Sequence, residues 1–231
     1  MRGFFSVLTA FPLAAVSLAA ASCNPNALNT TTYQYPITKE GTTVFDVARA
    51  TKRGVCDIGR QNLMADVTIQ PNVGESFLIP GETCQPDNDS CIIKDVDRIN
   101  TCIYGGPRLY YTVKGDTYEK IALRLNITTE SLMAGSQHGG ASGSPNQTLP
   151  VGQFLKVPEC SPSQCIIQPY SFKRGVYKDL AEKYGTTVGQ IMMLSPTYNY
   201  SSLAFSKGGT FPPIDLPINC TALSKNTTVI S

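Results

Sequence analysis

Apolar and polar residues fall into one order three times along the chain. Each copy begins with a short β-type run holding a tyrosine: Tyr35-Pro36-Ile37-Thr38, Tyr110-Tyr111-Thr112-Val113 and Pro169-Tyr170-Ser171-Phe172. A glycine turn follows, at Gly41, Gly115 and Gly175. An apolar-Ala step then predicts a first helix, at Asp46-Val47-Ala48, Lys120-Ile121-Ala122 and Asp179-Leu180-Ala181. A second apolar stretch ends in Leu63-Met64-Ala65, Leu132-Met133-Ala134 and Met193-Leu194-Ser195. Each copy closes on a short strand running into proline, at Pro80, Pro158 and Pro217. Proline ends a strand because it has no N–H to give the ladder. The expected fold is therefore α+β: three small β-α-α-β repeats in tandem, at 34–81, 109–159 and 168–218.

One apolar stretch stands outside this order. Arg2 precedes a run from Phe4 to Ala21, and small residues crowd its end. A basic start, an apolar middle and an A-x-A-like end predict a signal peptide over 1–21 and a secreted chain. A membrane anchor is the competing reading, but the run is barely long enough to span and no basic stop-transfer cluster follows.

Composition adds little to this picture, and cysteine adds much. The 231 residues carry a net charge of +2, too small to argue for a nucleic-acid partner. All 8 cysteines lie beyond the apolar run, and an even number in a secreted chain implies four disulfides. Cys102 and Cys160 bracket the second repeat, and Cys165 and Cys220 the third. By the same logic Cys23 and Cys84 bracket the first, leaving Cys56 for Cys91. Sequence alone leaves this connectivity open. Units this small need such staples. A metal site is not expected, since there is no C-x-x-C pair and His138, in a Gly/Ser loop, is the only histidine. No cofactor is expected either. Sequons at Asn29, Asn88, Asn126, Asn146, Asn199 and Asn226 are candidate glycosylation sites; a seventh, Asn219, is disfavoured by its neighbour Cys220.

The second repeat carries a resemblance. Tyr111-Thr112-Val113-Lys114-Gly115-Asp116-Thr117-Tyr118-Glu119-Lys120-Ile121-Ala122 resembles the opening of a LysM domain, and Leu149 to Pro158 its closing strand. From Cys23 to Cys220 the chain is similar to the secreted fungal LysM effectors, of the extracellular-protein-6 type with three tandem modules. The first and third repeats depart from Gly-Asp-Thr, with Gly41-Thr42-Thr43 and Arg174-Gly175-Val176 in its place. The resemblance implies two antiparallel strands under two helices in each module. It implies binding of β-1,4-linked N-acetylglucosamine polymers, either chitin or peptidoglycan. It also implies a role in hiding chitin fragments from host receptors, or in shielding the hyphal wall from host chitinases.

Two loops at one end of each module are the candidate chitin contacts, because glycine lets backbone groups approach a ligand and Thr, Asp, Met or Tyr can meet hydroxyls and methyls. In the first repeat these are Gly41, Thr42, Thr43, Val44 and Met64, Ala65, Asp66, Val67. In the second they are Gly115, Asp116, Thr117, Tyr118 and Met133, Ala134, Gly135, Ser136. In the third they are Arg174, Gly175, Val176, Tyr177 and Leu194, Ser195, Pro196, Thr197, Tyr198. Asp116 and Thr117 also suit a helix cap, and Met64, Met133 and Leu194 suit a core. The connection from Cys160 to Cys165 is short, whereas that from Cys84 to Cys102 is long and polar. The first and third modules are therefore the expected pair to clamp one oligomer between them, and self-association on ligand is a further expectation. Against an enzyme stands the lack of any recurring carboxylate pair. Against a disulfide-rich protease inhibitor stands the repetition of similar loops at matching points.

Overall fold

The computed structural model describes residues 23–99, 101–105, 108–137, 143–195 and 212–222. The expected signal peptide, His138, Pro196, Thr197, Tyr198, Asn199 and Asn226 lie outside them.

The chain is a mixed helix-and-sheet protein in which the order strand, helix, helix, strand occurs three times. First come β1 (Tyr33–Pro36), α1 (Val44–Thr51), α2 (Val55–Gln61) and β2 (Ser76–Ile79). After a short β3 (Cys102–Ile103) come β4 (Leu109–Tyr111), α3 (Tyr118–Leu125), α4 (Thr129–Gln137) and β5 (Phe154–Lys156). After β6 (Glu159–Cys160) come β7 (Gln164–Tyr170), α5 (Tyr177–Tyr184), α6 (Val188–Leu194) and β8 (Ile214–Thr221). Each closing strand pairs antiparallel with its own opening strand, and β3 pairs with β6.

Local chemistry explains the first helix of each set. Thr43 and Thr117 cap α1 and α3 by accepting from the N–H of Asp46 and Lys120. At the other end Lys52, Asn126 and Gly185 turn left-handed with φ of 58°, 56° and 65°. A side chain then ties the second helix to the closing strand. Asn62 donates to Ile58 O and Leu78 O, both at 2.8 Å, and accepts from Leu78 N–H. Ser136 donates to Leu132 O at 2.8 Å and to Lys156 O at 2.9 Å. Ser195 accepts from Asp215 N–H at 2.7 Å.

Four disulfides close the chain: Cys23–Cys84, Cys56–Cys91, Cys102–Cys160 and Cys165–Cys220. These are the pairs that the bracketing suggested. The core is built from Ile58, Phe77, Tyr110, Ile121, Leu132 and Ile191, all buried. It continues across the repeats. Gly189 of α6 lies so close to α3 that a Cβ there would sit 2.6 Å from Leu125.

The connection from Cys84 to Cys102, long and polar in sequence, is anchored along its length. Cys91 is bonded to Cys56, Asp87 is paired with Arg60 at 2.7 Å, and Arg98 with Glu119 at 2.7 Å. Ile99 also exchanges backbone bonds with Asn126 and Thr128. Its polar residues Asp87 and Arg98 have partners on the first and second repeats.

Candidate functional site

The opening loops owe their shape to glycine and to carboxylates. Gly41 and Gly115 adopt φ of 81° and 83°, which favours a residue without Cβ. Asp46 accepts from Thr43 N–H at 2.9 Å, Asp116 from Val113 N–H at 2.8 Å and Asp179 from Val176 N–H at 3.0 Å. Thus Thr117 is the cap of α3, and Asp116 fastens the turn before it.

Three opening loops converge on one segment of the first repeat, residues 60–70. A Cβ on Gly41 or on Gly115 would lie 3.9 Å from Gln70 in either case, so Gln70 sits between them. Lys114 and Glu40 form an ion pair beside it. From the third repeat, Gly175 N–H donates to Arg60 O at 3.1 Å and Tyr177 N–H to Met64 O at 3.2 Å. Arg60 clasps Asp179 with two bonds, of 2.9 and 2.8 Å. Arg124 of α3 reaches Asp66 at 2.6 Å and also Asp116. Burial pushes the Asp66 carboxyl up, but Arg124 outweighs burial and holds it below the usual range.

The structure sorts the candidate contacts by access. Gly41 and Arg174 are exposed, and Thr42, Thr43 and Gly115 half-buried. Val44, Tyr118 and Tyr177, which follow the loops, point into the core. Met64, Ala65, Asp66 and Val67 are buried where the repeats meet, as are Asp116, Thr117, Gly175 and Val176. Met133, Ala134, Gly135 and Ser136, read from sequence as loop, are the last turns of α4. That helix runs on because Ser136 bonds back to Leu132, and because Gly135 leaves room for Pro158, 2.9 Å from where a Cβ would be. Leu194 ends α6 and lines a cleft of about 460 Å³ with Leu109 and Phe154, between the second and third repeats. Ser195 is buried against β8.

Sequence reasoning missed Arg60, Gln70 and Arg124. No motif marks them, since each acts on residues far away in the chain. Of the sequons, Asn29, Asn88 and Asn146 are exposed and Asn126 is half-buried. Among the described residues no helix is long and apolar enough to cross a membrane.

Comparison with known proteins places the fold. Residues 110–158 match the LysM domain family. Over 210 residues the chain is 43% identical to "Secreted LysM effector LysM13" of Penicillium expansum, covering 90% of this chain and 87% of that one. It is 34% identical over 194 residues to "Secreted LysM effector ECP6" of Passalora fulva, covering 83% and 80%. A third relative, "Secreted LysM effector ELP2" of Colletotrichum higginsianum, is 36% identical over 125 residues, 53% of this chain and 65% of its own. With two relatives matched over most of both chains, and with the turn, cap and strand pairing of the matched domain on view, the chain belongs to the secreted LysM effectors.

Proposed function

We propose that the chain is a non-enzymatic effector that binds chitin oligosaccharides and withholds them from host detection. The observation that carries this reading is the LysM match over 110–158, with Gly115-Asp116-Thr117 at the head of α3, in a chain of the secreted LysM effectors. We read all three strand-helix-helix-strand sets as LysM modules, over 34–81, 109–159 and 168–218. Neutral, hydroxyl-rich oligomers suit loops that offer backbone groups and threonine hydroxyls rather than charge.

The first and third modules form the clamp in this reading. Its support is that the opening loop of the third module lies on the end of α2 and the second loop of the first, through Arg60 O and Met64 O. The connection from Cys84 to Cys102 is anchored, so the pair is set by packing rather than by a free tether. Linking two half-sites raises effective concentration, worth about a hundredfold or more in avidity.

Titration calorimetry with chitohexaose tests both statements. One tight event per chain is expected, and three equal, independent, weak sites would sink the clamp. A chitin-bead pull-down that leaves the protein in solution would remove the chitin reading and return the protease-inhibitor alternative. Labelled chitohexaose incubated with the protein should stay intact; shorter products would make it an enzyme.

A further inference from the structure

Arg124 is 2% exposed, yet its guanidinium serves two repeats. Its Nε donates to Asp66 Oδ2 at 2.6 Å, and its Nη1 donates to Asp116 Oδ1 and to the Tyr110 hydroxyl at 3.0 Å. The carboxylates are as buried as their partner, with side chains 4% and 0% exposed. A planar group with five donors in a fixed fork can hold several acceptors at once, which an ammonium cannot do in the same geometry. One guanidinium thus serves two buried carboxylates, and removing it would strand both of them in the interior.

Each carboxylate shapes a loop as well as meeting the arginine. Asp66 Oδ1 accepts from Thr68 N–H at 2.8 Å and so turns the second loop of the first repeat. Asp116 Oδ2 accepts from Val113 N–H at 2.8 Å, and Asp116 O from Leu149 N–H at 2.8 Å, ordering the opening loop of the second. We infer that Arg124 is a positioning residue that joins the loops of the first and second repeats into one preformed sugar-binding surface. An oligosaccharide long enough to touch both then meets them in a fixed register. The inference rests on the chitin-oligosaccharide reading above. Arg124 itself touches no ligand and acts through Asp66 and Asp116.

The full oxidised chain is compared with Arg124→Met, Arg124→Lys and Asp66→Asn by calorimetry and by amide hydrogen exchange without ligand. Arg124→Met should weaken chitohexaose binding about tenfold or more, and by a larger factor than it weakens chitobiose binding. In the free protein it should quicken exchange at 64–68 and 113–117 but not in β7 and β8. Arg124→Lys, which keeps the charge but not the fork, should fall between wild type and Arg124→Met. Equal losses for both oligomers, or unchanged exchange in both loops, would overturn the inference. If Arg124→Met does not fold, Asp66→Asn decides in the same two readouts, since it removes the charge from the arm between repeats and leaves Arg124 on Asp116. If the wild type binds no chitin oligomer, the proposed function fails. The exchange data then decide alone: quickened loops uphold Arg124 as the joint, and unchanged loops reject it.

Discussion

Asn62 shows how one side chain closes a repeat. It is 2% exposed and bridges the end of α2 to β2 through three bonds. Asn62→Ala leaves two strand groups and a helix carbonyl without those partners. The loss should be about 1–3 kcal/mol or more, read as a lower urea midpoint at unchanged slope. Ser136 and Ser195 do the same work in the other repeats, so their alanine variants should lose less, having fewer bonds. Residues of this type are hard to see in sequence. Asn62 meets Leu78, 16 residues away, and no apolar period marks it. The cap of α3 was easier, because Thr117 acts within three residues of itself, whereas Thr43 reads in the sequence only as a loop contact.

Between elements, the joint of α2 with α5 carries most of the consequences. Gly59 faces Val67 and Val176, and a Cβ there would come within 2.5 Å of Val67 and 3.2 Å of Val176. Gly59→Ala should therefore cost about 1–3 kcal/mol by overpacking, and should weaken chitohexaose binding along with stability. The ion pairs at this joint and beside it set an acid limit. Burial pushes the carboxyls of Asp66, Asp87 and Asp179 up, but bonds from Arg124 to Asp66, from Ser90 and Arg60 to Asp87, and from Arg60 to Asp179 leave all three below the usual range. A carboxyl depressed in the folded state stabilises the fold above its unfolded pKa and loses that contribution as pH falls through the folded one. The thermal midpoint should thus be nearly flat from about pH 8 to 5 and drop below about pH 4. Arg60→Ala should flatten that acid limb, a change that scanning calorimetry at each pH would read. None of this was legible beforehand, since Arg60 and Asp179 stand 119 residues apart.

At the scale of the molecule, the repeats share side chains and cannot melt as beads on a string. Leu125 of α3 packs on Gly189, and Tyr110 donates to Met192 Sδ at 3.8 Å. A single calorimetric transition is expected, with matching van't Hoff and calorimetric enthalpies. Replacing both Cys102 and Cys160 by serine should lower stability by about 2–5 kcal/mol without splitting that transition. A second, separate transition would show that the repeats fold independently.

The sequence by itself determined what depends on near neighbours. Alternation, helical period, glycine turns and threonine caps act over a few residues, so the order of elements was readable, and the cysteine brackets followed from it. So was the likeness of the second repeat to a LysM domain, because its signature is contiguous. Tertiary structure alone decided which loops meet, that Val44, Tyr118 and Tyr177 turn inward, and that α4 extends over Met133 to Ser136. It also decided that Arg124 would find Asp66, 58 residues away. These outcomes depend on packing between repeats, where the partner of a side chain is set by shape and buried charge rather than by distance along the chain.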